Sequence, residues 1–149
     1  MVIGVPGRVK YMEGNVAIPE AGGLRYIVQI LDTSGEYPET DSALAIKKRW
    51  PAVENSYKQL YRAKFGKLTK GEIHLLTVQS DTVVVLTIAV EKGKIDTKSL
   101  ADCFTKLAKD AAYDSGSVHM AKHSKGWKGV EKAINDVLVK SGINVTVYQ

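Results

Sequence analysis

The sequence predicts one α/β domain, a three-layer α/β/α sandwich with a mixed central sheet. Three observations point there. Apolar, β-branched runs alternate with stretches of helical period along all 149 residues. No linker, internal repeat or low-complexity segment interrupts them, so residues 1–149 read as a single domain. One run, Thr82 to Val90, is almost wholly β-branched or apolar, as a central strand covered on both faces must be.

Val9 to Met12 reads as the first strand, ended by Gly14-Asn15. Leu24 to Leu31 is dense in apolar residues and reads as a buried strand. Asp32 to Asp41 holds Gly35, Pro38 and polar residues, which makes it a loop. Ser42 is the expected cap of a short helix running to Lys48. Pro51 suits the first turn of the next helix, in which Val53, Tyr57, Leu60 and Tyr61 fall on one face and Gly66 is the stop.

Glu72 to Gln79 and Thr82 to Val90 are two strands joined at Ser80-Asp81, and Glu91 to Ile95 is a turn. Asp96 or Thr97 caps a long helix whose Leu100, Phe104, Leu107 and Ala111 share a face, with Gly116 ending it. Ser117 to Met120 is a strand. Trp127, Val130, Ile134, Val137 and Leu138 mark the last helix, stopped by Gly142, and Asn144 to Tyr148 closes the sheet. Ligands in such sheets sit beyond the carboxyl ends of strands. That directs attention to the loops at 32–41, 91–95 and 121–126.

Composition is that of a globular protein, with 44% hydrophobic and 25% charged residues. No apolar run is long enough to span a bilayer, so no membrane association is expected. Met1 to Gly7 lacks the charged and apolar regions of a secretory signal, and the sole cysteine, Cys103, excludes an internal disulfide. Both fit a cytoplasmic protein. No cysteine-based metal site, Walker loop or nucleophile elbow is present.

The net charge of +5 is unevenly spread. Lys47, Lys48, Arg49, Lys58, Arg62, Lys64, Lys67 and Lys70 crowd one segment with a single acid, Glu54. Asp32, Glu36, Glu39 and Asp41 lie just before it. Bases interleaved with Trp50, Tyr57, Tyr61 and Phe65 suit single-stranded RNA or DNA, although the two tyrosines also belong to the apolar helix face. The alternative is a solvated basic face.

Ser117 to Lys128, SVHMAKHSKGWK, is a strand, a glycine-containing basic turn and a helix start, an arrangement able to hold a phosphate. Set in the full order of elements, the chain resembles a macro domain. The resemblance rests on VKYMEGNV, LRYIVQILD, SALAIKKRWP, GEIHLLTV, SVHM followed by a short loop and WKGV, and the terminal INVTVYQ. It implies a fold that binds ADP-ribose or processes its derivatives; no metal-ligand spacing is present in the sequence, and no cofactor or metal is expected.

Carried over by position, the resemblance implies a ligand-binding set of Gly14, Asn15, Val16, Gly35, Lys122, Ser124, Lys125, Gly126 and Trp127. The departures mark a divergent member. The family's Gly-Asp pair, which holds the adenine amino group, is Gly14-Asn15 here. The strand-end asparagine at the distal ribose is Leu31, followed by Asp32. The glycine-rich first phosphate loop reads SGEYPETDS, where Pro38 removes a donor and three acids oppose a diphosphate. Two like charges about 4 Å apart repel by roughly 1 kcal/mol even in water. The second phosphate loop is shortened to Ala121–Gly126.

For catalysis the resemblance leaves Asp32 as acid or water-orienting group and His123 as general acid or base, while His74 and His119, inside strands, are expected to pack. Their bland counterparts are a turn acid and a loop histidine. Four functions therefore stand at this point. The first is binding of an ADP-ribose-related or other adenine or ribose nucleotide, with catalysis lost or altered. The second is single-stranded nucleic-acid binding through the basic 47–70 segment. The third is a degenerate scaffold for an unspecified protein partner, and the fourth is ADP-ribosyl hydrolysis.

Overall fold

A computed structural model describes residues 5–20, 22–123 and 125–149. Its strands are β1 (Val9–Met12), β2 (Arg25–Asp32), β3 (Ile73–Gln79), β4 (Thr82–Glu91), β5 (Lys94–Ile95), β6 (Ser117–Ala121) and β7 (Val145–Tyr148). Its helices are α1 (Asp41–Arg49), α2 (Ala52–Ala63), α3 (Thr97–Asp114) and α4 (Trp127–Ala133), the last running straight on into a π-helical stretch, Ile134–Val139. The sheet order is β1-β7-β6-β2-β4-β3. The first five of these are mutually parallel, β3 is antiparallel at the edge, and β5 folds back on the end of β4. The mixed sheet of the sequence reading is therefore present, with helices on both faces.

Period-2 alternation sorts the core into two layers. Tyr26, Val28 and Ile30 of β2 pack with Val83, Val85 and Ala89 of β4 against α3 and α4. Ile27 and Leu31 pack with Val84, Leu86 and Ile88 against α1 and α2. Every residue from Thr82 to Ala89 is buried, as a strand sandwiched between helices requires. No helix among the described residues is long and apolar enough to cross a membrane.

Three local details differ from the sequence reading. Thr40, not Ser42, caps α1: its Oγ1 accepts the Ala43 N–H at 3.3 Å, and the helix starts one residue before the expected cap. Ser115 rather than Gly116 takes the left-handed position ending α3, at φ 55, and Gly116 N–H then closes on Ala111 O at 2.8 Å. The 91–95 turn contains strand β5, a two-residue return that the short sequence pattern does not distinguish from a turn. Asp96 caps α3 as expected, its Oδ1 accepting from Lys98 and Ser99 N–H at 3.1 Å each.

The parallel strands end together on one side of the sheet. At that edge the pairing of β2 with β4 slips by one residue, Leu31 facing Ile88 and Asp32 facing Val90. A bulge of this kind re-aims the residues that follow it. Here it delivers Asp32 to the rim while Leu31 stays fully buried.

Candidate functional site

A cleft of about 1840 Å³ opens beyond the carboxyl ends of the parallel strands. All three loops singled out from the sequence contribute to it, together with the 14–16 turn after β1 and the end of β7.

The turn after β1 is built by glycine and an Asx-type bond. Gly14 adopts φ 153, and a β-carbon there would lie 3.2 Å from the Tyr148 ring. Asn15 Oδ1 accepts the Ala17 N–H at 2.9 Å, and its main-chain oxygen accepts from Ile18 at 2.8 Å. The side-chain carbonyl thus shapes the turn, burying Val16 and Ala17 while Gly14, Asn15 and Val16 line the cleft.

Tyr148 anchors the floor beside this turn. Its hydroxyl accepts the Glu20 N–H at 3.0 Å and lies 2.9 Å from His119 Nδ1; His119 Nε2 lies 2.8 Å from Ser117 Oγ. With the phenol oxygen accepting from Glu20, its O–H donates to Nδ1, and Nε2–H is left to donate to Ser117. A neutral imidazole satisfies this chain. Burial pushes the His119 pKa down to about 4, with the Arg25 charge acting the same way. His119 does pack inside its strand, but its role as a polar strut under the cleft has no one-dimensional signal, because its Tyr148 partner is on the adjacent strand and only Ser117 is a neighbour on its own.

The 33–40 segment forms the next wall and is tethered at several points. Asp32 Oδ1 accepts the Ser34 N–H at 2.8 Å, and Oδ2 accepts the Gly93 N–H at 3.1 Å from the β4–β5 hairpin. The Tyr57 hydroxyl donates to Asp32 O and accepts the Gly35 N–H at 3.1 Å. Burial holds the Tyr57 phenol up at about 12, so it stays a donor. Gly35 lies flat on Tyr61, and at φ 79 a β-carbon would stand 2.5 Å from Tyr61 Cγ. Tyr37, buried, donates to Ala43 O at 2.6 Å and pins the wall to α1. Glu36, Glu39 and Asp41 remain exposed around the cleft.

Another wall is basic. Lys94, Lys122 and Lys125 line it with exposed side chains, and Gly126 closes the turn. Lys122 is fixed through its backbone, its N–H reaching Tyr148 O at 2.9 Å. His123 is half-buried in the same wall, and burial lowers its pKa. Ser124 lies outside the described residues. Trp127 is not brought to the cleft: its ring packs edge-on against Tyr11, 6.2 Å between centroids.

Asp32 and His123 both line the cleft. Of the basic candidates, Lys47 and Lys58 share Glu54 at 3.3 and 3.4 Å, and Arg49 Nη1 donates to Ala17 O at 2.5 Å. Among the rings expected to interleave with them, Tyr57 and Trp50 are buried, at 0% and 7% exposure, and Tyr61 lies under Gly35. Tyr57 and Trp50 are core rings that offer no face to a base, and Tyr61 is half-buried against the same layer. Among the described residues, no group of three or more His, Cys, Asp or Glu side chains is placed to hold a metal ion.

No family model matches the sequence, and no curated protein matches it. Solved structures do. A macrodomain protein from Streptomyces coelicolor aligns with TM-score 0.88 at 25% identity, over 95% of this chain and 99% of that one. A protein of unknown function from Bacteroides thetaiotaomicron aligns with TM-score 0.87 at 25% identity, over 95% of this chain and 98% of the other. A Trypanosoma brucei macrodomain in complex with ADP-ribose aligns with TM-score 0.56 at 16% identity, over 95% of this chain and 64% of that chain.

Proposed function

Because the chain has the fold of a macrodomain, in a divergent form, we propose that it binds an ADP-ribose-related nucleotide in the cleft at the carboxyl ends of its parallel strands. The single observation that carries this reading is the placement of the cleft. It is large enough for a nucleotide, and it is bounded by the 14–16 turn, the 33–40 segment and the 121–126 turn together. The ADP-ribose held by the Trypanosoma brucei macrodomain supports the ligand class.

The base sits by Gly14–Val16 and the phosphate by Lys122 and Lys125. Because Asn15 Oδ1 already accepts Ala17 N–H, it offers an exocyclic amine only its remaining lone pair. Glu36, Glu39 and Asp41 oppose a diphosphate placed along their wall, so the phosphates lie against the lysines.

The reading is of a binding domain rather than a hydrolase. Both Asp32 oxygens accept backbone N–H groups that hold the loops. Leu31, buried, has no group to orient a water.

Titration calorimetry with ADP-ribose, ADP and AMP tests the proposal. Heat is expected for at least ADP-ribose at micromolar to high-micromolar concentration, weakened about tenfold by Lys122→Glu with Lys125→Glu. No heat from any of the three would overturn it.

A further inference from the structure

The end of α2 carries an aromatic ring where stability alone would place glycine or asparagine. Phe65 follows the helix with φ 54, in the left-handed region that a residue with a β-carbon enters at a cost. Its ring is 91% exposed. Nothing within the fold is gained from the ring, and the backbone beneath it is strained. Strain of this kind points outward, to a role.

The surroundings say which role. Arg62, Lys64 and Lys67 are exposed around Phe65. None of these three forms an ion pair among the described residues, whereas Lys47 and Lys58 are held by Glu54, and Lys70 by Glu91 and Asp96. The unneutralised charge of the second half of the basic segment therefore gathers around one bare ring. The surface lies outside the cleft lining but adjoins it, since the Tyr61 ring is packed between Gly35 and Gly66.

We propose that this corner binds single-stranded nucleic acid, with one base stacked on Phe65 and neighbouring phosphates on Arg62, Lys64 and Lys67. A ring flanked by cations matches a base flanked by phosphates. Duplexes hide their base faces, so an unpaired strand is selected. An acidic peptide would satisfy the lysines but has no use for the ring. The inference does not depend on what the cleft holds.

Fluorescence anisotropy with a labelled oligothymidine of about fifteen residues, at two salt concentrations, tests it. Binding that weakens as salt rises is expected. Phe65→Gly is expected to weaken it about tenfold, while raising the melting temperature by a few degrees, since glycine relieves the left-handed strain. That pairing of effects excludes misfolding as the cause. Lys64→Glu with Lys67→Glu should remove binding and flatten the salt response. The proposal is overturned if Phe65→Gly binds as well as the parent chain, if a duplex or polyglutamate competes as well as the single strand, or if the folded protein gives no anisotropy change at low salt.

Discussion

The Asp32 carboxylate bridges two segments of the cleft, accepting the Gly93 N–H of the β4–β5 hairpin at 3.1 Å while its other oxygen holds Ser34 N–H at 2.8 Å. It is thus a clamp between the acidic wall and the hairpin. Asp32→Asn keeps only one accepting oxygen. It should lower stability by about 1 kcal/mol and weaken ADP-ribose binding a few-fold. Thermal melting and calorimetry measure both. Were Asp32 the acid of a hydrolase, release of ADP-ribose from a modified substrate would instead fall by orders of magnitude in the parent-to-variant comparison.

Gly35 rests on Tyr61 with no room for a side chain, a β-carbon falling 2.5 Å from Tyr61 Cγ at φ 79. Gly35→Ala should cost roughly 2 kcal/mol through the left-handed backbone and the clash. Because Gly35 lies in the cleft wall, ligand affinity should drop along with the denaturation midpoint. An unchanged midpoint in urea would contradict the packing described.

Tyr148→Phe keeps the ring and removes the oxygen on which Glu20 N–H and His119 Nδ1 both depend. Losing one partner from a buried polar chain costs about 1–3 kcal/mol. The loss should appear as a lower melting temperature at neutral pH, and its absence would mean that water replaces the phenol.

The same chain makes stability depend on acid. His119 is fully buried, and its pKa is pushed down to about 4. The unfolded chain therefore binds more protons than the folded one between the ordinary histidine value near 6.5 and about 4. Stability from this group is fully present above pH ~6.5 and is lost as pH falls toward 4, by up to about 3 kcal/mol. Burial lowers His123 in the same direction. Unfolding free energies measured across this range should fall with acid, and His119→Gln should make the slope shallower.

Phe104 of α3 is wholly buried, in the same core layer as Val85, Leu107 and Val118. Phe104→Ala should cost roughly 3–5 kcal/mol, enough to be seen directly in chemical denaturation.

Much of the site was legible in one dimension as location rather than as chemistry. Strand ends and loop positions follow from periodicity, so the cleft's three loops are legible in the sequence. The chemistry depended on partners distant in the chain. Asp32 meets Gly93 and Tyr57, and Tyr148 meets His119 and Glu20, only after the sheet orders its strands. Trp127 belongs to the ligand set that the resemblance implies, yet its ring packs on Tyr11, because a helix start fixes where a backbone goes and not which way an indole faces.

By itself the sequence determined the alternation of strands and helices, the doubly covered β4, a cap at Asp96 or Thr97 and the uneven charge. Each is a local property, set by side-chain period, hydrogen bonds across a few residues, or composition. Tertiary structure decided the strand order, the bulge that separates buried Leu31 from rim-facing Asp32, and which rings of the basic segment meet solvent. The reason is the same in each case. Burial is shared among elements far apart in the chain, so Tyr57 and Trp50 turn inward where a sheet waits for them. Phe65, just past the helix end, has no such surface to meet.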